Sequence, residues 1–600
     1  MASFTYQSLP GKPNITRMIR LLPNKNENAP IECSIFDYDL SEGGNRAHSY
    51  EAISYCWGSN VKSEEITLSG CSLHVTRNLH AALLYLRDNQ LERTFWIDAI
   101  CINQADMNEK MKQIPLMRSI YAQATQVNVW LGEGSDGGEE ALEGICSLAE
   151  PEQDQNKTEE SIAEYRDACL KLLKRDWFHR IWVLQEVGVA RSVWVICGSV
   201  QISGQAFCEG LSKLQLPLDF LTRVGSVAYL ISGASFRPKY KIDSAGSLSI
   251  GELVGLYCNR QATEQHDKIY ALLGLSTDPR VPSLQPNYET PWHEILKNVA
   301  SYTFPESAVQ TWDGIESAII EGKGWILGNV HNATNDKERY GHQKIAIDFS
   351  ETAKTLRYDE KWESVWVVRA CAELIQDGDI IYLMQGLPQP SIVRLCNDHF
   401  VVITPAVTPK KSSIVLSSAE SDTADLQDIL LRWKIPTSEA RAELEASLPL
   451  AQMTPDFRES NTKTQSRLNN IALIMAGMVK QIQESKHSED SHENKTIERI
   501  VEQSGKCVPG VEILRALAGY EGPQGIIAMK NILQRRGDGV EMTEEVVKAA
   551  VSNKSQGFEM LSLLLEYGGQ KIPISEEILV AASRGKPSSI RKGGIGINNA

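Results

Sequence analysis

At 600 residues the chain is several times the usual domain size, so roughly two to four domains are expected. Hydrophobic residues make up 42%, which excludes a wholly disordered chain. The net charge of −15, from 61 basic and 76 acidic residues, disfavours a nonspecific grip on nucleic acid or anionic membrane, and no nucleic-acid partner is expected.

The first segment, 1–49, reads as a β extension with strand-like runs at 15–22 and 31–38. From residue 50 the character changes to alternating strands and helices, the signature of an α/β fold with a mostly parallel sheet. Tyr50-Glu51-Ala52-Ile53-Ser54-Tyr55-Cys56-Trp57-Gly58 is a strand ending in a turn. Residues 76–88 form a helix with Thr76 as N-cap and Leu79, Ala82, Leu83 and Leu86 on one face. Residues 95–102 read as a second, nearly all-apolar strand, with a loop over 103–106 at its carboxyl end. A helix follows over 108–124, interrupted or kinked near Pro115. Residues 126–132 are a third strand, 166–190 are helical, and 192–197 are a fourth strand. These elements delimit a first domain over 50–200.

Residues 201–335 read as mostly helical, with helices at 267–275 and from 291. Over 340–405 the period drops to two, which predicts a small antiparallel β region. Residues 406–496 read as mostly linker around a helical piece at 424–448. The last segment, 497–590, carries a degenerate repeat. Met529 to Gly537 is echoed by Met560 to Gly568, and Thr543 to Ala550 by Ser575 to Ala582, a period of 31–32 residues that fits ankyrin-like helical units.

The twelve cysteines show no C-x-x-C pair, so no zinc or redox centre is expected and buried free thiols are the reading. The N-terminus lacks a signal-peptide pattern, and no run of 18 apolar residues exists. A cytoplasmic protein without a membrane span is the expectation. No P-loop, H-E-x-x-H or G-x-S-x-G is present. Gly132-Glu133-Gly134-Ser135-Asp136-Gly137 matches G-x-G-x-x-G, but Glu133, Asp136, Glu139 and Glu140 would repel a pyrophosphate, so a polar turn is the better reading. A Cys101–His179 nucleophilic pair is set aside because Cys101 sits among apolar residues.

What remains are three aromatic-rich blocks, at 50–58, 96–104 and 177–191. Asp98 interrupts an apolar run, and a buried acid needs a partner or a function. Asn103 and Gln104 stand where open α/β sheets present groups to ligands. Phe178, Trp182 and Glu186 share a helical face, with Gln185 beside them. Arg180 is a candidate partner for Asp98. A buried Asp98–Arg180 pair that fixes the fold and a ligand-facing cluster both remain open.

These blocks resemble the motifs of the fungal HET (heterokaryon incompatibility) domain. The first matches its opening motif, with Ile53 where Leu is usual. Trp96-Ile97-Asp98-Ala99-Ile100-Cys101-Ile102-Asn103-Gln104 matches its central motif, which continues through Asp106, Glu109, Met117, Ile120, Tyr121, Ala124 and Val129 to Gly132. Trp177, Arg180, Trp182, Val183, Gln185 and Glu186 match the third. Looser resemblances follow at 267–275 and 285–288, and at Gly378-Asp379 with Ile392-Val393-Arg394-Leu395. Tyr55, Trp57, Gly58, Trp96, Asp98, Asn103, Gln104, Arg180, Trp182 and Gln185 thereby become candidate motif or ligand-facing residues. The resemblance implies non-self recognition between fused hyphae ending in regulated cell death. Protein partners follow from it, either an incompatibility partner or self-association. It also implies a TIR- or flavodoxin-like sheet through distant kinship to Toll/interleukin-1 receptor domains, some of which cleave NAD with a catalytic Glu. Glu186 is the corresponding candidate, with NAD as substrate and no resident cofactor. A death factor acting by assembly, an NAD-hydrolysing enzyme and an inactive scaffold are the three readings that result.

Overall fold

The computed structural model describes residues 1–42, 49–59, 61–150, 159–214, 216–233, 248–278, 282–336, 341–396, 399–407, 426–435, 511–519 and 543–568, with parts of 525–533. The linker readings over 408–425 and 436–496 and the echo at 575–582 lie outside them.

The first sheet has nine strands. They are β1 (Ile15–Leu21), β2 (Glu32–Asp39), β3 (Glu51–Tyr55), β4 (Glu64–Leu68), β5 (Cys71–Val75), β6 (Arg93–Trp96), β7 (Val127–Trp130), β8 (Val193–Cys197) and β9 (Val200–Ser203), in the order β5-β4-β2-β1-β6-β3-β7-β8-β9. The four strands expected in the first domain form the centre, β6-β3-β7-β8, and all their pairings are parallel. Every residue of β7 is buried, as a strand covered on both faces requires. The flanks add antiparallel pairings to this parallel centre, so the sheet as a whole is mixed. β1 pairs antiparallel with both β2 and β6, and β4–β5 and β8–β9 are antiparallel hairpins. The β4–β5 turn is two residues, Ser69 and Gly70, with φ of 51° and 80°. Positive φ at both positions matches the twist of a tight hairpin. Parallel neighbours need a crossover, whereas β4–β5 and β8–β9 are joined by two-residue turns and so fold back. The N-terminal extension is thus part of the sheet.

The crossovers are helical: α1 (Arg77–Leu86), α2 (Asp98–Cys101), α3 (Met107–Gln123), α4 (Gly138–Ala149), α5 (Glu159–Leu173) and α6 (Trp182–Gly188). Thr76 caps α1, accepting from the Leu79 N–H at 3.4 Å, and Leu79, Ala82, Leu83 and Leu86 are the buried face. The strand expected over 95–102 ends at Trp96, and the chain closes one helical turn, α2, with the Cys101 N–H donating to the Ile97 carbonyl at 2.7 Å. An all-apolar run looks the same to a periodicity argument in either form. α3 runs through Pro115 rather than stopping there.

Helices α7 (Gly204–Lys213), α8 (Leu218–Ser232), α9 (Ile250–Tyr257), α10 (Asp267–Leu273) and α11 (Trp292–Thr303) follow. The helical reading of 201–335 then fails. β10 (Ala308–Gln310) and β11 (Ser317–Asn335) are strands, and β11 is 19 residues long. Its glycines disguise it. A Cβ at Gly324 would stand 2.2 Å from the Leu383 carbonyl, and one at Gly328 would stand 2.2 Å from that of Asp348. Glycine there permits close approach of neighbouring backbone and removes the side chains that would show alternation. β12 (His342–Phe349), β13 (Val365–Arg369), β14 (Ile380–Met384), β15 (Ser391–Cys396), β16 (His399–Thr404) and β17 (Gln427–Lys434) complete a second sheet. Because β17 pairs with both β16 and β11, β11-β14-β15-β16-β17 closes into a ring. β17 also corrects the helical reading of 424–448: five consecutive buried residues, Ile429 to Trp433, hide a two-residue period. The Gly378-Asp379 and Arg394 motif proves structural. Arg394 donates Nε and Nη2 to the two carboxylate oxygens of Asp379 at 2.7 and 2.9 Å, and Asp379 is fully buried.

At the C-terminus, α12 (Val511–Gly519), α13 (Glu544–Ser552) and α14 (Gly557–Gly568) pack through Leu514, Leu517, Val546, Val547, Ala550 and Met560. Met529 and Leu533 are buried, as are Met560 and Leu564 one period on. Among the described residues no helix is long and apolar enough to cross a membrane.

Candidate functional site

The carboxyl ends of β6, β3 and β7 gather the polar groups that interrupt the apolar blocks. Ser54 is the one aliphatic hydroxyl in a strand whose residues 52–55 are all buried. It has two partners from distant segments. The Trp177 Nε1–H donates to Ser54 Oγ at 2.8 Å, and the Ser54 hydroxyl donates to Glu186 Oε2. An indole nitrogen can only donate, so the serine proton is committed to the carboxylate. Glu186, on α6, is 4% exposed. Burial pushes its carboxyl up to about 7, against the opposing pull of Arg180 and the Ser54 hydrogen bond. The group therefore changes charge near neutral pH, the range a general acid or base needs.

Asp98 opens α2. Its Oδ2 accepts the Trp57 Nε1–H at 2.9 Å and its Oδ1 accepts the Ala99 N–H at 2.7 Å. Burial raises its pKa, and the charge of Arg180 opposes that rise. Arg180 donates to the Tyr55 carbonyl and feels the charges of Glu186 and Asp98. Asp98 and Arg180 therefore share a cluster without spending their hydrogen bonds on one another. The Tyr55 side chain reaches the same place: Asp98, Arg180 and Glu186 are its charged neighbours, and burial holds its hydroxyl well above the ordinary range. That hydroxyl has no hydrogen-bond partner among the described residues.

Tyr55, Trp57, Asp98, Arg180 and Glu186 are thus brought together. Gly58, at φ +70°, turns the chain just beyond Trp57. The other candidates lie elsewhere. Trp96 is fully buried, donates to Thr16 Oγ1 at 3.2 Å and packs edge-on against Tyr121. The Asn103 side chain accepts from the Ala105 N–H at 3.3 Å and shapes the loop. Gln104 donates to the Asp98 carbonyl at 2.9 Å and anchors α2 from behind. Trp182 hydrogen-bonds Asp267, which also accepts from the Tyr288 hydroxyl at 2.6 Å. This joins the downstream segments 267–275 and 285–288 to α6. Buried Gln185 donates to the Ala271 carbonyl at 3.1 Å and accepts from Arg118 at 2.7 Å, a tie between α10 and α3.

Two further readings resolve. Cys101 is fully buried and its thiol is pushed up to about 12 by burial, which suits packing and not nucleophilic attack. The G-x-G-x-x-G loop is knitted by Arg175, which donates to the Leu131 carbonyl at 2.8 Å, the Glu133 carbonyl at 3.0 Å and the Asp136 carboxylate. A Cβ at Gly134 would stand 2.2 Å from the Glu139 side chain, so an acid occupies the space a phosphate would need. Among the described residues no three His, Cys, Asp or Glu groups converge as a metal site. Sequence reasoning missed Ser54, whose only signal is a hydroxyl in an apolar strand. It also missed Arg17, a buried residue of β1 that donates to both oxygens of Glu109 at 2.6 and 3.0 Å.

Residues 50–186 match the family model described as heterokaryon incompatibility protein (HET). The chain is a HET-domain protein. The HET match ends on Glu186, the buried carboxyl of the cluster. Over 340 residues the chain is 26% identical to heterokaryon incompatibility protein 6, OR allele, of Neurospora crassa. The alignment covers 46% of this chain and 49% of that protein, so the chain spans about half the length of the curated relative it matches. Downstream of the HET domain, residues 532–560 and 563–588 each match a domain of unknown function (DUF7104). No solved structure matches the chain.

Proposed function

We propose that the chain acts in fungal heterokaryon incompatibility, with the HET domain as the module that triggers regulated cell death. The match over 50–186 carries this reading, and the named Neurospora relative supports it. Expression of the chain in a fungal host, with growth of wild type compared against Glu186→Gln, tests it. Equal growth with and without the chain, under inducing fusion, would sink the death-trigger reading.

A second reading is favoured by one observation: the buried Glu186 carboxyl that titrates at about 7 beside Arg180. It makes the domain an NAD glycohydrolase. The central parallel strands run second, first, third, fourth in chain order, the beginning of the flavodoxin-type order, which supports a TIR-like kinship. In that chemistry the C1′–N bond breaks, nicotinamide leaves with the bonding electrons and water supplies the new C1′–O bond, yielding ADP-ribose and a proton. An ionised Glu186 would stabilise the cationic ribosyl centre as the bond lengthens. The purified chain incubated with NAD at concentrations that allow self-association is the assay. Absence of nicotinamide release there removes the enzyme reading and leaves assembly as the route to death.

A further inference from the structure

The two sheets end differently. In the first, the edge strand β5 is covered at one end: the Phe4 N–H donates to the Ser72 carbonyl and the Ser72 N–H to the Ala2 carbonyl, each at 2.8 Å. In the second, β13 is the terminal strand, and among the described residues it pairs with β12 alone. Its hydrogen bonds show which groups face outward. The Ser364 carbonyl accepts from the Ile347 N–H at 2.8 Å, and the Ala370 N–H donates to the Gly341 carbonyl at 2.9 Å. Even-numbered positions are therefore spent on the β12 side. In an antiparallel ladder the alternate positions turn their N–H and C=O groups the other way. Those positions are Val365 and Val367.

The side chains of Val365 and Val367 are exposed as well, at 39% and 41%, while Trp366 and Val368 are buried. Edge strands are ordinarily blunted by a lysine, a proline, an inward charge or a bulge. Residues 365–368 carry none of the first three, and the β12–β13 register runs without a shift. A regular, apolar, open edge is a template for another strand.

The order of side chains selects the strand that fits. When a second β13 is laid antiparallel about a two-fold axis at Trp366, Val365 meets Val367 of the second copy and Val367 meets its Val365. Glu363 meets Arg369 of the second copy, and the same match recurs at the other end. The outward N–H and C=O groups of the valines then face one another. The Arg369 guanidinium is held at its end of the edge, 4.5 Å over the Tyr229 ring and donating to the Tyr229 hydroxyl at 3.0 Å. Neighbouring registers lose this match: an axis at Val365 sets Val367 against Glu363, and one at Val367 sets Val365 against Arg369.

We propose that β13 is a self-association edge, through which two copies of this chain join their second sheets by antiparallel β13–β13 pairing about Trp366. The contact is isologous, so it closes at a dimer. It is also short, so association is weak, in the micromolar range, and follows concentration. The proposal needs neither the death-trigger nor the hydrolase reading, since association is a property of the purified chain.

The experiment is sedimentation equilibrium of the full chain over a concentration series, with hydrogen exchange of the 363–369 peptide read by mass spectrometry and thermal melts as a check on folding. Wild type is expected to dimerise, with exchange in that peptide slowing as concentration rises. Val365→Lys/Val367→Lys sets lysine against lysine at both matches and is expected to abolish dimers, while exposure of both side chains keeps the fold intact. Glu363→Lys alone and Arg369→Glu alone each set like charges opposite and are expected to weaken dimerisation about tenfold. The combined swap E363K/R369E restores the match and is expected to recover it. Wild type that stays monomeric at about 100 μM overturns the proposal, as do dimers that survive V365K/V367K. Dimers indifferent to the single charge changes, or not recovered by the swap, overturn the pairing about Trp366.

Discussion

Replacing Glu186 by Gln should change the pH dependence of stability in a way that few other substitutions could. In the unfolded chain the carboxyl titrates at its ordinary 4.5, whereas burial in the fold pushes it up to about 7. Below 4.5 both states carry the proton, and the stability tied to this group is fully present. As pH rises toward 7 the unfolded chain gives up the proton first, so wild type loses stability through that window. Each tenfold change in proton affinity is worth about 1.4 kcal/mol, which makes the whole loss about 3 kcal/mol. Glutamine cannot ionise. E186Q should therefore gain on wild type by about 1.4 kcal/mol per pH step through the window and level off above it. Its new N–H group, facing a site built for a carboxylate, adds a pH-independent cost of about 1–3 kcal/mol. The measurement is urea unfolding of both chains by tryptophan fluorescence at matched pH steps, reading the difference between midpoints. Parallel curves for wild type and E186Q would show that burial does not hold the proton on Glu186, and the acid–base argument would go with it.

Other substitutions test other parts of the same reasoning. Ser54→Ala removes the hydroxyl that donates to Glu186, one of the two influences that hold its pKa down, so the acidic limb of any nicotinamide-release profile should move to higher pH. Asp379→Ala takes the buried carboxylate from Arg394, leaving it the half-exposed Glu373 and the Leu374 carbonyl, and should cost about 3 kcal/mol in a urea titration, with the double variant D379A/R394M recovering much of it. Arg17→Met should destabilise by a similar amount, because Glu109 is then left buried with only the Asn103 N–H, at 2.7 Å, and its own chain around it. Growth in the fungal host should recover with E186Q if Glu186 acts chemically, and should not if the domain acts by assembly alone.

Local pattern was enough for the elements that obey a single period. Thr76 and the Leu79, Ala82, Leu83, Leu86 face mark α1 within the chain itself, because capping and a 3.6-residue stripe are properties of neighbours in sequence. The four central strands and the three aromatic blocks were legible for the same reason. β11 and β17 were not, since their glycines and doubly buried runs erase the two-residue period. α2 reads as strand because a short, nearly all-apolar run shows no period that separates helix from strand.

The candidate site divides along the same line. That Asp98, Arg180 and Glu186 are polar residues in apolar settings is a fact of the chain alone. Their protonation is not, because it depends on which charges and donors stand within a few ångströms after folding. Ser54 is 132 residues from Glu186, and Arg17 is 92 from Glu109. No periodicity reaches across such separations. Only the packed sheet could decide that Glu186 is held near neutrality by burial, that Arg180 binds a carbonyl rather than Asp98, and that the Tyr55 hydroxyl has no partner among the described residues.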